Sequence, residues 1–280
     1  MKKQIILVAA GILLVVTLFF LGKTVSDSKP VATMPTQKTQ NFDIEKFISN
    51  KRSTLTLSQL KFLSHLEDSS ASSSNKINTY NNLAAFWKDS IHLFEPFAYY
   101  TEAASKLDNS EKSLTFAAQI FLEGLRGEDD LAKVEWESGE AISLYEKALA
   151  LNPENDDLKI ELASCYVYGK GRSGDPQETM KGIQQLLSVV RKDSTNMKAQ
   201  MVLGVGGYVS GQYDKAIARL NKVVTAQPDN FEATAFLADT YAAQGNKEEA
   251  IKWYNVSKRL SNNPDYNNEV DKRIKTLQKN

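Results

Sequence analysis

The chain is 280 residues long with 42% hydrophobic and 24% charged side chains, which is enough apolar material for a sizeable core and too much for a disordered segment. Lys and Arg together number 34, as do Asp and Glu, but Lys2, Lys3 and Lys23 fall in an acid-free start, so residues 24–280 are net acidic and lack the basic domain of a nucleic-acid binder. A single cysteine, Cys165, excludes an intrachain disulfide, and with two histidines beside it a structural zinc site has almost no ligands.

Ile5 to Gly22 is a run of 18 residues without a charge. At about 1.5 Å per helical residue it reaches roughly 27 Å, close to the thickness of a hydrocarbon core. A cleaved signal would have a shorter apolar run and a small-x-small site, whereas this run ends in Phe19, Phe20 and Leu21. The segment is therefore predicted to be an uncleaved single-pass anchor. Lys2 and Lys3 place residues 1–4 in the cytoplasm, and the bulk of the chain is expected in the periplasm of a bacterium, tied to its inner membrane.

Residues 23–40 are polar, contain Pro30 and Pro35 and have no sustained period, which predicts a flexible tether. Within residues 41–76, Phe42, Ile44, Phe47 and Ile48 predict a short amphipathic helix. Leu57, Leu60, Leu63 and Leu66 predict a second, followed by a serine-rich loop from Ser69 to Asn75.

From about residue 77 to 263 the chain repeats itself. Leu237, Ala238, Tyr241, Gly245, Ala250 and Tyr254 echo Leu203, Gly204, Gly211, Ala216 and Leu220, with Leu203 and Ala216 each 34 residues before their counterparts. Ala141, Tyr145, Ala148 and Pro153 mark another second helix, and Leu162, Ala163 and Tyr166 the first helix of the unit after it, with Gly182, Leu186 and Val189 on that unit's second helix. Leu83, Ala84 and Trp87, then Ala117, Ala118 and Phe121, extend the series backwards. First-helix anchors thus fall at 83, 117, 162, 203 and 237, and the long steps predict loops at roughly 124–138 and 169–178. The pattern resembles the tetratricopeptide repeat, W-x2-L-G-x2-Y followed by A-x3-F and P across two antiparallel helices. Thr234, Gln200, Gly207 and Pro96 depart from it. The resemblance implies an all-α, right-handed solenoid of about five helical hairpins. Residues 264–280, with Val270, Ile274 and Leu277 on one stripe, are expected to cap it.

Other motifs are better explained structurally. Gly169, Gly171 and Gly174 spell G-x-G-x-x-G but follow a helix, not the strand of a dinucleotide-binding unit, so a connecting loop is expected. Cys165 has no neighbouring base and reads as a packed thiol, His65 as a surface residue, and Glu128, Asp129 and Asp130 as a solvated loop. Trp87 is predicted in the core, and Trp136, in an insert, is placed to dock on the solenoid. Neither a catalytic constellation nor a cofactor site emerges, so an enzyme is not expected.

What remains is implied by the resemblance. Family members hold extended or helical peptides against the first helices, which here places Ile160, Ser164, Val167 and Tyr168, then Lys198, Met201, Val205 and Tyr208, then Asp239, on an exposed inner groove. The central slots are apolar, so the expected occupant is an apolar segment of a partner protein; the competing expectation is that the chain's own N-terminal helices fill the groove. Function is expected to be that of a membrane-tethered scaffold. Alternatives are a chaperone-like factor in secretion or cytochrome c maturation, or a structural factor that forms homo-oligomers.

Overall fold

A computed structural model describes residues 41–68 and 76–279. The anchor and tether expected over residues 5–40, and the serine-rich loop, lie outside the described residues; among the described residues no helix is long and apolar enough to cross a membrane.

Two helices lead the described chain, α1 (Ile44–Arg52) and α2 (Leu57–Asp68), where the spacing of apolar residues placed them. Antiparallel hairpins follow: α3 (Lys76–Ala85) with α4 (Phe94–Asp108), α5 (Glu111–Gly127) with α6 (Leu131–Leu151), and α7 (Asp156–Ser164) with α8 (Pro176–Lys192). Next come α9 (Met197–Val209) with α10 (Tyr213–Ala226) and α11 (Phe231–Gln244) with α12 (Lys247–Leu260). Helix α13 (Pro264–Lys279) closes the series. Each predicted anchor, Leu83, Ala117, Leu162, Leu203 and Leu237, lies on the first helix of its hairpin, and all five are at most 7% exposed.

Local chemistry sets these boundaries. The connections before α7, α9 and α11 all end in an asparagine whose side chain accepts a hydrogen bond from the first helical turn: Asn155 from the Leu158 amide at 3.2 Å, Asn196 from Ala199 at 3.0 Å, Asn230 from Ala233 at 2.9 Å. Gly211 and Gly245 make the tight turns inside the last two hairpins with φ of 72° and 88°, a region L side chains rarely enter. Pro96 is tolerated where the repeat prefers alanine because it sits in the first turn of α4, where its missing N–H has no helical acceptor to reach.

The two predicted insert loops are a correction. Only Glu128–Asp130 separate α5 from α6, and the surplus residues add turns to the helices instead. Those turns gain burial: Leu125 and Val134 are fully buried, and Trp136 packs on Phe121 and Phe42 with ring centroids 5.2 and 5.1 Å apart. Nor is the acidic patch simply solvated, because Asp130 caps α6 through the Ala132 amide and Glu128 pairs with Lys133. After α7 the helix continues as a π-helical turn, Cys165–Lys170, so the second connection shortens to residues 171–175. A similar π-helical turn, Phe86–Ile91, extends α3.

No hairpin buries its own apolar face, so the core passes from one to the next. Phe97 touches both the N-terminal cluster of Ile48, Leu63, Leu83, Phe86 and Trp87 and the cluster built by α4 to α7. Tyr241 and Trp253 likewise join the α7–α11 cluster to Ala238, Ala250, Tyr254 and Val270. Helices α1 and α2 belong to the first of these clusters and pack on the first hairpin.

Candidate interaction surface on the inner face

On α7, its π-helical extension and α9, six of the nine predicted groove residues lie inside the protein. Ile160 and Ser164 are 2% exposed, Val167 0%, Tyr168 7%, Met201 7% and Val205 1%. The expectation that they line an exposed groove is therefore corrected, and the cover is not the N-terminal helices. It is built from side chains of the repeats themselves.

Tyr168 carries most of this closure. Its ring meets Phe236 of α11 edge-on at 6.4 Å, and its hydroxyl donates to Glu232 at 2.9 Å. The other Glu232 oxygen accepts from Arg126 of α5 at 3.4 Å, and the Arg126 guanidinium lies 5.5 Å from the Tyr168 ring. Burial, reinforced by the Glu232 carboxylate, pushes the Tyr168 phenol far above its usual range, so it acts only as a neutral donor. Tyr208 also meets Phe236 edge-on, at 5.9 Å. It stays on this inner face and does not fill the core slot at Gly207, which instead lets α9 pack against Ala216.

The remaining predicted slots are also engaged. Asp239 accepts from Arg273 of α13 at 2.8 Å and from the Tyr254 hydroxyl at 2.5 Å, so the terminal helix covers it. Lys198 stays exposed and pairs with Asp157 at 3.6 Å. Glycines also allow close packing between helices of these hairpins. At Gly206 a Cβ would fall 2.4 Å from Ile183 and 3.5 Å from Val167, and at Gly169 only 2.3 Å from the Ser138 Cβ.

The first two hairpins differ. Counting from anchors Leu83 and Ala117, the equivalent slots Asn81, Ala85, Lys88 and Asp89 of the α3 arm, and Lys112, Gln119 and Glu123 of α5, are exposed, while Thr115 is half-buried and Leu122, at the register of Val167, is buried. Phe116, beside them, is 56% exposed. It lines an open depression of about 620 Å³ with Ser110, Glu111, Lys112, Thr115 and Gln119. Arg126, Glu232, Phe236 and Phe116 carry the inner face, yet only Glu232 occupies a family groove slot.

The other singled-out residues take structural places. Gly169 lies within the π-helical turn, Gly174 turns with φ of 81°, and Arg172 between them donates to the carbonyls of Leu125 and Glu128 at 2.8 and 2.7 Å. The glycine-rich connection is thereby clamped to the end of α5. Cys165 is fully buried, and burial raises its thiol well above the ordinary range, which removes nucleophilic character. Trp87 is fully buried, and His65 is exposed on α2. Among the described residues no group of three or more His, Cys, Asp or Glu side chains could hold a metal ion.

Residues 210–268, spanning the end of α9 to the start of α13, match the tetratricopeptide repeat family. This part of the chain carries the tetratricopeptide repeat. A stretch of 135 residues, 48% of the chain, is 28% identical to tetratricopeptide repeat protein 21A of Mus musculus, and it spans only 10% of that protein. Among solved structures, TTC0263, a thermophilic tetratricopeptide-repeat protein of Thermus thermophilus, aligns with a TM-score of 0.51 and 16% identity. That alignment covers 74% of this chain and 99% of that one. MamA of Desulfovibrio magneticus RS-1 aligns over 66% of this chain and 95% of its own, with 16% identity and a TM-score of 0.47. The likeness to TTC0263 speaks for the fold alone.

Proposed function

We propose that this tetratricopeptide-repeat protein is a non-catalytic scaffold, tethered to a membrane through residues 5–22, that holds a segment of a partner protein on the inner face of its first two hairpins. Repeats of this family generally serve protein–protein interaction. One observation carries the choice of surface: the central slots of α7 and α9 are buried, while most slots along α3 and α5 are exposed beside Phe116. An apolar ring set among Lys112, Thr115 and Gln119 offers both an anchor and hydrogen-bonding side chains to an incoming chain.

The test is in-cell photo-crosslinking of the full chain, with the reactive side chain placed at Phe116 or Gln119, or on the second-helix surface at Glu146 or Lys222. Partner adducts from the first pair alone are expected. Equal adducts from both pairs, or adducts from Glu146 and Lys222 alone, would remove the inner face from consideration. Membrane fractionation checks the tether: the intact chain should sediment with membranes, and a chain lacking residues 1–22 should not.

A further inference from the structure

The seam between the second helices of the first two hairpins contains more acid than base, in a place that water hardly reaches. Helix α4 contributes Glu95 and Glu102, which are 7% and 4% exposed, and α6 contributes Glu137 at 1% exposure together with Glu140. Glu128 joins them from the α5–α6 connection. Against these five carboxyl groups stand two ammonium groups. Lys133 divides itself between Glu95 at 2.5 Å and Glu128 at 3.4 Å, while Lys106 pairs with Glu102 and, at 3.5 Å, with Glu140.

Glu137 is left over. Its Oε2 has no hydrogen-bond partner, and Phe94 and Gly124 wall it in so closely that a Cβ at Gly124 would lie 2.9 Å from this oxygen. Arg172, the remaining cation facing it, commits its guanidinium to the carbonyls of Leu125 and Glu128. A buried carboxylate in that position is costly, and the group avoids the cost by keeping its proton. Glu102 is in a similar state because the Lys106 charge is shared with Glu140. Tyr99, one turn earlier on α4, faces the same pocket with Glu45 of α1 behind it and adds no positive charge.

We propose that this seam is a proton-controlled joint: with Glu102 and Glu137 protonated, the first hairpin and helices α1 and α2 are held against the second hairpin, and loss of the two protons loosens that contact. The inference stands on the seam alone, whatever occupies the inner face. Burial first, then the neighbouring Glu128 and Glu95, pushes the Glu137 carboxyl up to about 8. Burial and the shared hydrogen bond with Glu140 push Glu102 up to about 8. Both groups thus hold protons in the fold that they release in the unfolded chain near pH 4.5. Their contribution to stability is therefore greatest below about pH 4.5, falls as pH rises towards 8, and is flat above it.

The test compares the full chain in detergent with Glu102→Gln, Glu137→Gln and the double variant, since glutamine copies the protonated acid. Thermal melts from pH 5 to 9 should show wild type losing Tm as pH rises. The double variant should stay nearly level, about 5 °C or more above wild type at the alkaline end. Hydrogen exchange should place the wild-type loss in α1 to α4 rather than α9 to α12. Parallel pH profiles for all four proteins, or a loss spread evenly along the chain, would overturn the joint. An infrared titration of wild type settles the matter even if a variant fails to fold, because two carboxyl groups must remain protonated at neutral pH, and full ionisation there would sink the proposal.

Discussion

The inner faces of hairpins one and two and of hairpins three and four are built from equivalent positions of one repeat, yet most of their slots meet different fates. In hairpins three and four the slots hold Ile160, Val167, Met201 and Val205, all buried, and Phe236 meets both Tyr168 and Tyr208 edge-on. In the earlier ones Asn81, Lys88, Lys112 and Gln119 are exposed, and of the slots on these helices Leu122 alone is buried. A repeat register therefore assigns a residue to a face without saying whether that face is surface. Exposure depends on what the neighbouring hairpins bring over that face, here Phe236 and the Glu232–Arg126 pair that meet Tyr168.

The sharpest way to break this comparison is to place a charge in matching positions of the two regions. Val205→Glu should cost at least about 3 kcal/mol, because the carboxylate enters a filled interior without a partner. Gln119→Glu should stay within about 0.5 kcal/mol. Urea unfolding followed by circular dichroism measures both, and equal costs would mean the later hairpins are as open as the earlier ones. Phe236→Ala removes the ring on which Tyr168 and Tyr208 rest and should cost about 2 kcal/mol in the same assay. Tyr168→Phe keeps the ring and loses the bond to Glu232, an expected loss of about 1 kcal/mol. Smallest in stability is Phe116→Ala, within about 0.5 kcal/mol, but this variant should lose partner adducts if the open face is the working one.

Much of the architecture is legible in the residues alone. The 34-residue recurrence of Leu203 and Leu237, and of Ala216 and Ala250, marks which helices cross closely and which side chains fill the crossing. Helix ends are legible for the same local reasons, in the asparagine caps and in Gly211 and Gly245. The loops expected at 124–138 and 169–178 shrink to 128–130 and 171–175, because insert length alone does not distinguish a loop from added helical turns; Val134 and Trp136 are the apolar signs of the latter. The inner closure is hidden more deeply, since Arg126 and Glu232 lie 106 residues apart and follow no period. One signal does exist. Helix α9 reads Ala199-Gln-Met-Val-Leu-Gly-Val-Gly-Gly207, apolar on nearly every side, and a helix of that kind is covered all round. Its apolar inner slots have the look of a surface awaiting a ligand, but the protein's own side chains already cover them.

The Arg126–Glu232 contact has a consequence for how this array can change over evolutionary time. Repeat arrays ordinarily grow and shrink by duplication or deletion of whole units, because each unit touches only its neighbours. Here the second hairpin also reaches the fifth, and Tyr168 ties the third to the same carboxylate. An extra unit inserted between them would shift Glu232 by a full repeat and leave both partners unmatched, so the copy number of this segment is constrained by its own geometry. Units added beyond α12 or before α3 would leave the Glu232 contacts in place and disturb only the packing of α13 or of α1 and α2.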